Sequence, residues 1–439
     1  MLTIQTKAFL KELEWVARFA EPKSTIPILN NVMLTVTPDG IQLTGTDLEI
    51  GAIGQVEASG SILPITFPAS ALLKYLKRVD ESEVRLSTID THYDAVEAVA
   101  AVEGVGEKVS WHQLTEEQRT AAFADYRTTQ GDTDPDYYVR GVLNAYEWDS
   151  VTGKRWEGVE AVEAVEAHSV AHTLVVEHGD DSRATFSGLD VSGFPELPAV
   201  ARLIGDIKGL RAALPRIRIA ISKEESRFTL NGALLHMEGD TVEMCSTDGH
   251  RLSLCQLTSA YRYTDAFKAI IPSAGLAELD RLKLDSVQIS ADENFVRFSF
   301  GTRQIISRKL TGNFADYQRV MPSSFDYHAV VNTESLSKAL KRVSVMADER
   351  SRCTRWTFNS KLTIDATISD SGSASASVPV SYRDDVHPSE DWTSGFKWDY
   401  TLEALAHMPE SSLFCFSKPS EAAELVTDDW RYVVMPMRI

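Results

Sequence analysis

Two segments of the chain match each other along their whole length at a fixed offset of 201 positions. Asn30–Asp47 reads NNVMLTVTPDGIQLTGTD and Asn231–Asp248 reads NGALLHMEGDTVEMCSTD. Apolar residues alternate on both sides of a Glu238-Gly239-Asp240 turn in the second, the pattern of two short strands. The second copy closes on Gly249-His250-Arg251-Leu252. Self-similarity at a fixed spacing means a reused building block, so further matches should exist. Pro68–Ser82 (PASALLKYLKRVDES) matches Pro272–Ser286 (PSAGLAELDRLKLDS) at an offset of 204. The register then breaks: Gly193-Phe194-Pro195-Glu196-Leu197-Pro198 resembles Gly312-Asn313-Phe314-Ala315-Asp316-Tyr317 at an offset of only 120. The first copy therefore carries 84 extra residues (204 − 120) between Ser82 and Phe194. A third, weaker copy follows, where Lys397–Leu405 leads to Pro409-Glu410-Ser411-Ser412 and echoes Tyr75–Ser82. Without the insertion each copy has about 120 residues, the size of one domain.

A chain of 439 residues, 43% of them hydrophobic, can fill three such cores. The N-terminal MLTIQTKAFLKELEWVARF carries charges inside its apolar periodicity and reads as a strand and an amphipathic helix, not a signal peptide. No apolar run approaches membrane-spanning length. Cys245, Cys255, Cys353 and Cys415 show no CxxC spacing, so buried thiols in a reducing cytoplasm are expected, with neither a disulfide framework nor a metal site. The formal charge of −19 argues against nucleic acid as a partner if taken as an average. Its distribution argues otherwise. Acidic residues gather in turns, strands and the insertion, while several expected helices are locally basic.

Helical spacing covers Thr6–Ala20, with Lys7, Lys11 and Arg18 off the apolar stripe, and Ala69–Val79, with Lys74, Lys77 and Arg78. Helices are likewise expected over Ala201–Leu214, ended or kinked by Pro215, over Ser273–Leu282 and over Thr333–Met346. Ile26–Val36 with Ile41–Thr46 reads as a hairpin, and Arg431–Met437 as a closing strand. The insertion, near 90–170, is bracketed by Asp94–Val102 and Glu157–Ala167 and holds Asp132-Thr133-Asp134-Pro135-Asp136; it reads as an excursion of one hairpin. Each copy is thus helix, strands, helix, strands. Charge runs usually mark solvated faces. Their recurrence on comparable helices of separate copies favours one continuous basic track facing phosphates.

Taken in order, the motifs resemble those of the bacterial DNA polymerase III beta subunits, the sliding clamps. The resemblance rests on Pro27-Ile28-Leu29-Asn30-Asn31, Thr44–Glu49 (TGTDLE), Leu230-Asn231-Gly232, Thr247–Leu252 (TDGHRL), Ser307-Arg308-Lys309-Leu310 with Gly312, Phe314 and Asp316-Tyr317, Pro322, and Tyr432–Ile439 (YVVMPMRI). It covers nearly all of the chain outside the insertion. It implies an α+β fold of three tandem clamp domains, at 1–200 (with the insertion near 90–170), 201–323 and 324–439. It further implies a head-to-tail homodimeric ring, with helices lining a hole that admits duplex DNA without sequence-specific contacts and sheets outside. Such a protein is not an enzyme; it keeps a polymerase on its template. An acidic exterior with basic inner helices fits the charge distribution, because phosphate contact without base readout holds DNA without fixing register.

By the same resemblance, DNA-facing residues are Lys23, Ser70, Lys74, Lys77, Arg78, Arg202, Glu224, Arg227, Phe228 and Thr229. Two depart from the family pattern: Ser70 stands where a basic residue is common, and Glu224 where an uncharged one is usual. A peptide groove for the polymerase III alpha subunit, the clamp loader and other proteins with a clamp-binding motif is implied at Leu230, Thr247, Gly249, His250, Arg251, Leu252, Pro322, Tyr400, Val433, Val434, Met435, Pro436, Met437 and Arg438. Leucine, valine and methionine suit apolar peptide anchors, and Arg251 and Arg438 could orient a peptide carbonyl or carboxylate. Without the resemblance, Val433–Met437 reads as an ordinary core strand. The dimer seam falls to Ala184 and Phe186 against Val345 and Met346. No cofactor is implied.

Two rival readings are set against this one. Asp248, His250 and Arg251 resemble an acid/base cluster. But Asp47 repeats Asp248 with neither His nor Arg beside it, so turn chemistry explains that aspartate better. No nucleophile motif, phosphate loop or metal spacing occurs. The other alternative is a clamp-like adaptor that keeps the groove but does not encircle DNA.

Overall fold

The structure is a computed structural model that describes residues 1–21, 23–93, 108–110, 147–149, 168–179, 182–368, 371–388 and 390–439. The first copy begins with strand β1 (Leu2–Gln5) and helix α1 (Thr6–Val16), then β2 (Asn31–Thr37), β3 (Gly40–Thr46), β4 (Ile50–Val56), β5 (Ala58–Gly60) and β6 (Ile65–Pro68). Helix α2 (Ala69–Leu76) and strand β7 (Glu83–Tyr93) follow. Residues Thr88–His172 form a separate compact unit. In it β8 (Lys108–Ser110) and β9 (Glu147–Asp149) pair antiparallel. The expectations for 94–102, 132–136 and 157–167 lie outside the described residues. Strands β10 (His168–His178) and β11 (Ser182–Ser187) complete the first copy, and β7 and β10, the strands that the insertion joins, are neighbours in one sheet.

The second copy repeats the order: β12 (Leu203–Lys208), α3 (Leu210–Arg218), β13 (Gly232–Gly239), β14 (Thr241–Thr247), β15 (Arg251–Leu257), β16 (Tyr263–Pro272), α4 (Ser273–Leu282), β17 (Ser286–Ala291), β18 (Phe295–Phe300) and β19 (Arg303–Arg308). The third does so again: β20 (Tyr327–Asn332), α5 (Thr333–Val343), β21 (Cys353–Phe358), β22 (Lys361–Ile368), β23 (Gly372–Tyr382), β24 (Trp392–Lys397), α6 (Trp398–Leu405), β25 (Ser411–Phe416), β26 (Ala423–Val426) and β27 (Trp430–Val434). The two helices of each copy pack against each other.

Local chemistry explains the boundaries. In α1 the buried residues Phe9, Leu13 and Val16 follow helical spacing. Asn332 caps α5 by accepting from the Ser335 N–H at 2.9 Å. One expected helix is corrected. Ala201–Leu214 is not continuous helix, because Leu203–Lys208 is β12, with Gly205 and Ile207 buried on one face. Gly209, at φ 92, turns the corner into α3. Pro215 neither ends nor starts that helix but lies inside it, so Arg211 lacks the N–H that would close its helical bond.

The copies are joined by continuation of their sheets. β4 pairs antiparallel with β19, with Ile50 opposite Ser307 and Ile53 opposite Gln304. β15 pairs with β27, with Arg251 opposite Val434 and Cys255 opposite Trp430. In each case the third strand of a hairpin set receives the last strand of the next copy. The results are an eight-stranded sheet across the first junction and a twelve-stranded one across the second.

Side chains reinforce both joints. At the first, Glu12 of α1 is almost fully buried and grips Arg303 of β19 through two carboxylate oxygens at 2.8–3.0 Å. The Arg303 guanidinium also lies 4.7 Å from the centre of the Trp15 ring. At the second, Arg216 of α3 pairs with Asp429 at 2.9 Å and stacks over Trp430 at 5.0 Å.

Candidate functional site, a groove between the second and third copies

The repeated Thr-Asp motif forms one turn twice. In the first copy Asp47 Oδ1 accepts from the Glu49 and Ile50 N–H groups at 2.9 and 2.7 Å. Thr46 Oγ1 donates to the Ile50 carbonyl and accepts from Leu48 N–H. In the second, Asp248 Oδ1 accepts from His250 and Arg251 N–H, and Thr247 repeats the Thr46 bonds with Arg251 and Gly249. The residue after each aspartate is left-handed, Leu48 at φ 78 and Gly249 at φ 87. Asp248 is thus a turn residue whose other oxygen accepts from Arg251 Nε. The acid/base cluster has no geometry for catalysis.

The closing strand ends earlier than its sequence suggests. β27 stops at Val434, and Met435–Met437 leave the ladder. Two backbone bonds hold this tail: Met435 N–H donates to the His250 carbonyl at 3.0 Å and Met437 N–H to Gly395 at 2.8 Å. Between them opens a cavity of about 310 Å³ whose walls include Met435, Pro436, Met437, His250, Tyr400 and Glu224. Arg350, Ser351 and Lys397 complete the lining.

Beneath it lies a buried polar network. Arg251 is 7% exposed. Its Nε donates to Asp248, and its Nη1 donates to Glu403 and to Tyr432 Oη. Burial alone would lower the Arg251 pKa, but Tyr432 and Glu403 hold it above its ordinary value. Burial pushes the Tyr432 hydroxyl well up, so it stays a donor, to the Tyr400 carbonyl at 3.0 Å. The Tyr400 ring lies between two cations, with the Arg251 guanidinium at 3.9 Å and Lys397 Nζ at 4.0 Å from its centre. Arg251 thus holds Tyr400 and the turn.

The other expected groove residues lie at three depths. Thr247, Leu252, Val433 and Val434 are buried in the core of the junction. Leu230 and Pro322 are half-buried, and Pro322 is fixed by a 3.0 Å bond from Arg431 to its carbonyl. Arg438 is exposed. Glu224, set among the DNA-facing residues by resemblance, lines the cavity and pairs with Arg227 at 2.9 Å. Arg227 in turn donates to the Asp248 carbonyl. Arg350, Ser351 and Lys397 were not foreseen, because they sit outside the motifs and reach the cavity only through the third copy's packing.

Of the expected DNA-facing residues, Lys77 is paired with Glu14 at 2.7 Å. Lys23, Lys74, Arg78 and Arg202 are exposed and have no acidic partner within salt-bridge distance among the described residues. Ser70 and Phe228 are exposed, and Thr229 is half-buried. On α5, Lys338 is paired with Glu334, while Lys341 and Arg342 are exposed.

The expected seam residues sit on an edge strand and on a one-turn helix. Ala184 and Phe186 lie on β11, which among the described residues has β10 as its single neighbour in its sheet. Val345, 73% exposed, and Met346 form a one-turn helix against β22 and β23. Among the described residues no cluster of His, Cys, Asp or Glu could hold a metal, and no helix is long and apolar enough to cross a membrane. The four cysteines are unbridged; Cys415 is buried and its pKa is pushed up to about 12.

Models of the DNA polymerase III beta subunit match in three parts: the N-terminal domain over residues 1–101, the central domain over 206–316 and the C-terminal domain over 318–438. The beta sliding clamp of Pseudomonas putida is 27% identical across all of this chain and 99% of its own length. The crystal structure of the DNA polymerase III subunit beta from Pseudomonas aeruginosa superposes with a TM-score of 0.74 at 26% identity, covering 100% of both chains. A second crystal structure from that organism, a sliding clamp bound to griselimycin, gives 0.73 at 26% identity, with 100% and 99% coverage. With three tandem clamp domains, the chain belongs to the DNA polymerase III beta subunit family, the sliding clamps, which act as processivity factors in DNA replication without catalysis of their own.

Proposed function

We propose that this clamp encircles duplex DNA as a head-to-tail homodimer in the cytoplasm and tethers the polymerase, the clamp loader and other partners through the cavity at the second junction. The observation that carries the tethering role is the tail Met435–Met437. It leaves the sheet and stands open beside His250 and Tyr400 where a core strand would have continued. Apolar walls with a polar rim suit an extended peptide with hydrophobic anchors. The griselimycin complex of the Pseudomonas aeruginosa clamp supports a ligand groove in this family. Removing Met435–Ile439 should abolish stimulation of the polymerase while leaving the oligomer intact; full stimulation by the shortened chain would refute the assignment.

The joints support the ring reading. Third strand meets last strand at both internal junctions. The third strand of the third copy, β23, pairs with β22 throughout but meets β20 only at Val380–Tyr382, leaving one edge of Gly372–Val378 open. The last strand of the first copy, β11, is also an open edge. Joining β23 of one chain to β11 of another repeats the rule and covers both edges. Val345 and Phe186 stand beside that seam. A Val345→Glu variant should raise the dimer dissociation constant at least about tenfold in sedimentation.

On the DNA side, Lys23, Lys74 and Arg78 supply positive charge without fixed partners, which suits sliding. Replacing all three with alanine should reduce loading and lower the log–log slope of binding against salt by up to about 2.7. Loading on nicked circular DNA followed by linearisation separates a ring from an adaptor. A ring runs off the ends, whereas an adaptor never becomes trapped.

A further inference from the structure

The first junction carries the same construction as the groove. Ile50 faces Ser307 there as Arg251 faces Val434 in the second. Arg308 N–H donates to the Glu49 carbonyl at 2.8 Å, as Met435 N–H donates to His250. The two Thr-Asp turns share their hydrogen bonds residue for residue. A cavity of about 350 Å³ opens beside this joint, with Leu48, Pro195, Leu197, Phe295 and Ile306 in its walls.

One residue sets it apart. Leu48 occupies the left-handed position that glycine fills in the second copy, and its side chain is 47% exposed at the cavity rim. A leucine there is conformationally costly and leaves apolar surface in water. The rim charges also differ. Glu49 and Glu196 outnumber Arg308, which is already paired with Glu49 at 3.4 Å. The second groove has Arg350 and Lys397 against Glu224, which is itself paired with Arg227.

We infer that the junction of the first and second copies is a second peptide site, quasi-equivalent to the groove. It takes an extended segment with an aliphatic or aromatic anchor flanked by basic residues, and Leu48 is its exposed anchor contact. The inference rests on reading the second junction as a peptide groove, and the test keeps the two apart. The probes are fluorescein-labelled heptapeptides with a Leu-Leu-Phe centre, one flanked by lysines and one by glutamates, titrated by polarisation against the full chain. The lysine-flanked peptide should bind the unmodified protein, and Leu48→Glu should weaken it at least about tenfold. Leu48→Glu should leave the glutamate-flanked peptide unchanged, whereas Met437→Asp should remove the glutamate-flanked peptide alone. Leu48→Gly gives a second arm: glycine relaxes the turn, so melting should stay level or rise while lysine-flanked binding still falls. No binding of the lysine-flanked peptide, binding indifferent to both Leu48 variants, or concentration-dependent self-association lost in Leu48→Glu would overturn the proposal. Failure of the glutamate-flanked peptide, or its indifference to Met437→Asp, counts against the groove instead.

Discussion

Arg251 shows how one position joins stability to binding. Its charge is buried against Asp248, Glu403 and Tyr432, and its flat face supports Tyr400 at the cavity wall. Arg251→Ala strands those partners, so about 2–4 kcal/mol of stability should be lost in urea denaturation, with weaker peptide binding. His407 carries a pH effect. It packs edge-on to Trp430 and faces Arg216, Asp280 and Lys283. Burial, then the Arg216 charge, holds its pKa below the ordinary value despite the attraction of Asp280. The unfolded chain therefore takes up the proton first. Stability present above about pH 6.5 declines as pH falls towards the folded-state pKa. A His407→Gln variant should show a flatter profile of urea midpoint between pH 7 and pH 5.

At the scale of elements, the Glu12–Arg303 pair locks α1 to β19 across the first joint. Glu12→Ala leaves a half-buried guanidinium unmatched and should cost about 2–4 kcal/mol. A double-mutant cycle with Arg303→Ala should return a coupling above about 1 kcal/mol. Much of this level was legible in the sequence. Periodicity and Pro272 place α4 at Ser273–Leu282, and the repeated Thr-Asp motif foretells one turn made twice. What was not legible has physical causes. In Ala201–Leu214 the apolar residues satisfy a period of two as well as 3.6, and Gly209 decides between them through its left-handed φ. The end of β27 depends on Gly395, which draws Met437 away by a backbone bond from β24, a strand far from β27 in the same copy. Lys397 and Arg350 reach the groove only because the third copy brings them there. Glu12 and Arg303 are 291 positions apart, and no local pattern marks such a pair.

For the molecule as a whole, each joint depends on a strand that comes last in its own copy. β27 lies between β26 of its own domain and β15 of the preceding one, so it belongs to two domains at once. A chain cut before Trp430 should keep the cores of its first two copies but lose the second joint. Limited proteolysis should then cleave within 319–326, the connector, faster than in the full chain. The same placement imposes an order on synthesis. A ribosome must release residues 430–434 before the third copy can be latched to the second, just as residues 304–307 must emerge before the second is latched to the first. A nascent chain therefore spends most of its translation with an uncapped sheet edge waiting for sequence not yet made, and the chaperones that attend it have that edge to shield.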